Sequence, residues 1–163
     1  MNAPAPESRP LVIGVGNETR GDDAAGLTVA RTVRSACAGV CDVVEASGEG
    51  TELLELFKGR KNVILVDATR SGAPAGTVRA IYARSRSLSS GFFRYSTHAF
   101  GVAEAVELAR SLDELPRTLL IYGIEGSSYE SGSGLSDEVR AAAGRVAEAV
   151  LKFLGSLAGA GHA

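Results

Sequence analysis

Four side chains in this sequence have the type and placement to do chemistry. Asp22 and Asp23 follow the glycine-rich stretch Gly14-Val15-Gly16-Asn17. Asp67 closes the apolar run Val63-Ile64-Leu65-Val66, and His98 follows a Ser- and Arg-rich segment. Two carboxylates and one imidazole suit a borderline divalent ion, such as Ni²⁺ or Zn²⁺, held with coordination positions left open. Each residue also has a plainer reading. Asp22 and Asp23 would serve as solvated caps at a helix N-terminus, worth ~0.3–1 kcal/mol each. Asp67 would serve as a turn residue, and a lone histidine is commonly structural. Two observations favour a site: Gly21 and Gly26 ask for a sharp turn and close packing around the acidic pair, and Asp67 emerges from a strongly apolar run.

Scarcity narrows the chemistry further. The 163 residues include 2 His, 2 Cys, 1 Met and no Trp. Three imidazoles or four thiolates are therefore excluded, and a metal held by side chains alone must be completed by carboxylates. His162 lies in the C-terminal tail, which leaves His98 as the histidine of the domain body. Cys37 and Cys41 read as reduced, buried thiols near a helix end and a strand start. The spacing Gly14-x-Gly16 followed by Gly21 is not the dinucleotide fingerprint, since Thr19 takes the place of the third glycine. Two acids at the helix start would also repel a pyrophosphate. A nucleotide-binding domain is accordingly the weaker alternative. No G-x-S-x-G elbow occurs. Glu125 is open between an acid behind the site and a holder of loop amides.

Alternating elements must position these residues. Strands are predicted over 11–16, 40–46, 62–67, 77–82 and 119–124, and helices over 22–37, from 50, over 99–112 and over 135–154 with Ser136 as N-cap. The linker 68–76 is too short for a parallel crossover, so the fourth strand is expected to run antiparallel. Segment 83–97 then returns the chain to the other end of the sheet. The expected fold class is α/β: a three-layer domain over 1–163, with tails 1–10 and 155–163. Its twisted, mostly parallel five-stranded sheet has one antiparallel strand and helices on both faces. Ligands collect at the carboxyl edge of such a sheet, where the first loop, Asp67, Thr97-His98 and Glu125 converge.

The chain carries a net charge of −2 with an isoelectric point near 5.7. It has no basic stripe, which argues against a nucleic-acid partner. No apolar run nears the ~20 residues of a membrane span, and the polar, Pro-rich start lacks a secretory h-region. A cytoplasmic protein without a membrane partner is expected.

Several motifs together resemble the nickel–iron hydrogenase maturation endopeptidases. They are Ile13-Gly14-Val15-Gly16-Asn17 through Arg20-Gly21-Asp22-Asp23-Ala24-Ala25-Gly26, Val63-Ile64-Leu65-Val66-Asp67-Ala68, Ser96-Thr97-His98, Ile121-Tyr122-Gly123-Ile124-Glu125 and Gly134-Leu135-Ser136. They follow in order over residues 11 to about 154. The resemblance implies an endopeptidase that removes a C-terminal extension from a hydrogenase large-subunit precursor after nickel insertion. By motif it also implies that Asp23, Asp67 and His98 contact the metal, with Asp23 and Asp67 as catalytic acids and Asp22 as a neighbour. Ni²⁺ would arrive with the substrate, and Zn²⁺ or Cd²⁺ could stand in for it. Either the metal polarises the scissile carbonyl or activates water, or a carboxylate such as Asp23 is the general base while nickel positions the substrate. A metal-sensing binding module on the same scaffold, without hydrolysis, is the alternative of a different class.

Overall fold

The apolar runs become strands buried on both faces, as expected where helices cover a sheet from both sides. The computed structural model describes residues 8–88 and 98–161. Five strands, β1 (Leu11–Val15), β2 (Asp42–Ala46), β3 (Asn62–Thr69), β4 (Val78–Tyr82) and β5 (Thr118–Glu125), form one sheet in the order β2-β1-β3-β5-β4. All pairs are parallel except β4 with β5, which is antiparallel. The short linker after β3 required that reversal.

Alternate residues of the central strands point to opposite layers. Leu11, Ile13, Val63, Leu65, Leu119 and Ile121 face α2 (Gly50–Phe57) and α3 (Val102–Ser111), where Leu53, Phe57 and Val106 close the layer. Val12, Ile64, Val66 and Leu120 face α1 (Ala25–Ala36) and α4 (Asp137–Ala160) through Val29, Val33, Val146 and Val150. Each such side chain, fully buried, stabilises the fold by about 1.5–3 kcal/mol. Gly26 sets the distance of α1 from the sheet. A Cβ there would run into the Val15 and Val66 carbonyls, so only glycine lets the helix start this close to the site.

The structure moves several expected boundaries, each for a local reason. The predicted helix over 22–37 divides into a 3-10 turn at Gly21–Ala24 and then α1, because Asp22 is drawn into contacts across the fold. β3 continues past Asp67 to Thr69, since β5 continues beside it to Glu125. β2 starts at Asp42 rather than residue 40, and α3 covers 102–111 within the expected 99–112. The C-terminal tail expected from residue 155 is largely helical: α4 reaches Ala160. Gly155 and Gly159 face open space, and Leu157, Ala158 and Ala160 are strong helix formers that outweigh the ~1 kcal/mol cost of each glycine. The N-terminal tail is anchored further out than expected, because Arg9 pairs with Asp42 and the Asp42 amide donates to the Pro10 carbonyl at 2.9 Å. Residues 1–7, 89–97 and 162–163, Thr97 among them, lie outside the described residues. Among the described residues no helix is long and apolar enough to cross a membrane.

Candidate active site

One cleft at the carboxyl edge of the sheet gathers the three predicted site residues. Asp23 and Arg20 reach it from the first loop, Asp67, Thr69 and Arg70 from the end of β3, Ser47 and Gly48 from the loop after β2, and His98 from the segment before α3. Tyr129, from the loop after β5, completes the wall. Strand order explains the meeting. β1 and β3 are neighbours with Gly14 opposite Val66, so the segments leaving both strands emerge side by side.

The two adjacent acids of the first loop have opposite surroundings. Asp22 is fully buried, and its carboxylate accepts the backbone N–H groups of Ser127 at 2.8 Å, Ser128 at 3.1 Å and Ser136 at 2.7 Å. The Ser127 and Ser136 hydroxyls add further bonds. Burial pushes its pKa up, but these donors outweigh burial and hold it below the ordinary carboxylate value. Ser136 is the N-cap residue of α4, as predicted. Its hydroxyl binds Asp22 instead of capping its own helix, and Asp22 brings negative charge to that helix start. Gly21 permits the turn with φ +54°, a conformation in which a Cβ would meet the Ser128 carbonyl at 2.5 Å.

Asp23 is directed the other way, into the cleft. Burial raises its pKa, and the Arg20 charge, a hydrogen bond from the Asn17 backbone and the His98 charge restrain the rise. Asp67 is shifted further: burial first, and then the Asp23 charge, lift it well above the ordinary value against a single hydrogen bond from the Ala68 backbone. Two carboxylates that feel one another in a partly desolvated cleft resist being charged together, and a divalent cation relieves that repulsion. His98 Nε2 lies 3.2 Å from the Ser47 carbonyl oxygen. A carbonyl only accepts, so Nε2 carries a proton in this contact. The donor chemistry fits a borderline divalent ion. Among the described residues no three His, Cys, Asp or Glu side chains stand close enough to hold a metal ion by themselves.

Glu125, left open by the sequence, holds loop amides. It is buried and accepts the Ser71 N–H at 2.7 Å, the Gly72 N–H at 3.0 Å and the hydroxyls of Thr69 and Ser71 at 2.8 and 2.9 Å. It thereby fixes the segment that carries Arg70. Tyr129 escapes sequence reasoning altogether, because it sits in a polar Ser/Gly loop with no periodicity. Its hydroxyl donates to the Thr69 carbonyl at 2.7 Å, and the Arg70 guanidinium stacks 4.7 Å from its ring centroid. Burial, then the charges of Glu125, Asp67 and Asp23, push its phenol pKa far up. Cys37 and Cys41 are buried in the α1/α4 layer, and burial, with the Cys37 thiol beside it, pushes the Cys41 thiol up to about 12.

Fold and cleft together define an α/β enzyme whose acidic site opens at the carboxyl edge of its sheet. The model of the HycI hydrogenase maturation proteases matches residues 29–153, and the chain belongs to that family. It is 29% identical over 151 residues to the hydrogenase 2 maturation protease of Escherichia coli K12, covering 90% of each chain. The maturating endopeptidase HybD of E. coli superposes with a TM-score of 0.69 at 25% identity, covering 91% of this chain and 93% of that one. A second E. coli endopeptidase gives 0.75 at 26% identity, with 87% and 89% covered. The protein is a peptide-bond hydrolase of hydrogenase maturation.

Proposed function

We propose that this endopeptidase removes the C-terminal extension of a nickel–iron hydrogenase large-subunit precursor, and that it reads the inserted nickel through Asp23, Asp67 and His98. The observation that carries the reading is the convergence of these three residues, from three separate segments, in one cleft. Nickel enters as part of the substrate. Three side chains that do not form a closed cluster bind a bare ion weakly, yet they can complete the shell of an ion already held by the substrate, and Zn²⁺ or Cd²⁺ would serve in its place. The mutual repulsion of Asp23 and Asp67 favours a precursor that brings a cation over one that does not. Proteolysis thereby becomes conditional on metal loading, and the cytoplasm is where such a precursor would be met.

The chain's own residues divide the remaining work. Asp23, kept the more ionised of the pair by Arg20 and His98, is placed to accept a proton from water. Asp67, ionised once it contacts the nickel, holds the metal-bearing end of the substrate, and the proton taken up by Asp23 passes to the departing amine. The test is mass spectrometry of nickel-loaded precursor after incubation with the wild type, Asp23→Asn and His98→Ala. Loss of the extension with the wild type alone supports the assignment. Equal processing by all three would remove Asp23 and His98 from the site.

A further inference from the structure

Outside the cleft, the most conspicuous unpartnered feature is the free edge of β4. This strand closes the sheet on one side and, among the described residues, pairs only with β5. The bonds flanking the ladder set its phase: the Glu125 N–H donates to the Thr77 carbonyl and the Ala83 N–H to the Leu119 carbonyl. Residues 77, 79, 81 and 83 therefore turn their backbone groups towards β5, and Val78, Ala80 and Tyr82 turn theirs outward. The Tyr82 carbonyl is taken by the Ser85 N–H at 3.2 Å. Among the described residues nothing bonds the outward N–H groups of Val78 and Ala80. The side chains add to the opportunity. Ala80 and Tyr82 are exposed, Tyr82 by 49%, and with Val78 they share the sheet face that also carries Tyr122. An apolar edge strand left open is a template for another extended chain.

Register ties this edge to the cleft. Asp67 lies opposite Gly123, which lies opposite Arg79. An added strand would run three strand spacings from Asp67, about 14 Å away. The start of β4 also sits at the carboxyl edge of the parallel strands, on the same side as the cleft. An endopeptidase must hold extended chain beside the bond it cuts, and about four to five residues cover that distance.

We propose that the outer edge of β4 is a docking site for an extended segment of the precursor, added as a sixth strand some four or more residues from the scissile bond. Main-chain hydrogen bonds to Val78, Ala80 and Tyr82 hold it. Apolar side chains at alternate positions rest on Val78, Ala80 and Tyr82, and a carboxylate faces the exposed Arg79. This inference rests on the reading above, that a hydrogenase precursor is the substrate.

Hydrogen–deuterium exchange of the full-length protein carrying Asp23→Asn, with and without unprocessed precursor, tests it. The expected result is that the Val78 and Ala80 amides slow about tenfold or more when precursor is added, while Arg79 and Ile81, already in the β5 ladder, keep their rates. Unchanged rates at Val78 and Ala80, with wild-type enzyme shortening the same precursor, would overturn the docking and leave the function intact. Protection without any shortening by the wild type keeps the docking and overturns the proteolytic reading. Protection that arises in the protein alone and grows with its concentration assigns the edge to a second copy, and overturns the proposal too. A companion variant, Ala80→Pro, removes an outward donor and spares the β5 ladder. It is expected to raise KM for precursor about tenfold with kcat unchanged, and a fall in kcat at constant KM would count against the docking. If this variant does not fold, exchange on the Asp23→Asn protein still decides.

Discussion

Asp22 and Glu125 stand within a few residues of the cleft that Asp23 and Asp67 line, yet the two pairs are built to opposite ends. Asp22 and Glu125 are buried and surrounded by donors: amides and hydroxyls of Ser127, Ser128 and Ser136 around one, of Thr69, Ser71 and Gly72 around the other. Asp23 and Asp67 each have one backbone donor, from Asn17 and Ala68. Where donors are plentiful, burial yields a structural anion that pins loops. Where they are withheld, burial yields acids whose pKa values are raised and which resist being charged together. The number of N–H groups supplied, more than depth or residue type, separates scaffold from site.

The largest test of this contrast is to neutralise the starved pair. Asp67→Asn or Asp23→Asn should slow precursor cleavage by ~10²–10⁴-fold with no loss of melting temperature, measured by single-turnover mass spectrometry beside thermal unfolding. A comparable loss of fold stability would merge the two pairs. Next comes the saturated acid. Asp22→Ala strips the acceptor from the Ser127, Ser128 and Ser136 amides at roughly 1 kcal/mol or more each, so urea denaturation should show a loss of about 3 kcal/mol.

Smaller, and opposite in sign for the two pairs, is the pH dependence of stability. The lowered Asp22 pKa contributes stability that is present above the unfolded value of about 3.9 and is lost as pH falls through the folded value. The raised Asp23 and Asp67 values contribute stability present below about 3.9 and lost as pH rises through the folded values. Asp22→Asn should therefore flatten the acid limb of the melting-temperature profile, and Asp67→Asn should flatten its decline towards neutrality. Profiles that shift in parallel would refute the contrast. The smallest effect belongs to the thiols. With Cys41 pushed up to about 12 and both cysteines buried, alkylation of native protein at pH 8 should leave mass and activity unchanged until denaturant is added.

Much of the fold was legible because its strands are buried on both faces and print as uninterrupted apolar runs. The antiparallel β4 followed from one short linker. Asp67 could be singled out because a charge directly after Val63-Ile64-Leu65-Val66 has few reasons to be there. What stayed hidden depends on contacts across long separations. Glu125 binds amides 53 and 54 residues back in the chain, and no local pattern at Glu125 records them. Asp22 and Asp23 are neighbours of one type, which local pattern does not separate; the family resemblance set Asp22 aside as a neighbour, and the distant serines show what it holds. Tyr129 sits among polar loop residues that promise nothing until Thr69 and Arg70 lie against it. The extension of α4 to Ala160 was obscured by glycines that matter little on a solvated face.

The Asp22 carboxylate also sets a clock. Its partner Ser136 is 114 residues further along the chain, which at about 5–20 residues per second is roughly 6–23 s of translation. Ser127 and Ser128, the other backbone donors to that carboxylate, lie 105 and 106 residues on, so all its anchors are made late. The contacts that turn Asp22 away from the cleft and leave Asp23 lining it are completed only once the start of the final helix has been made.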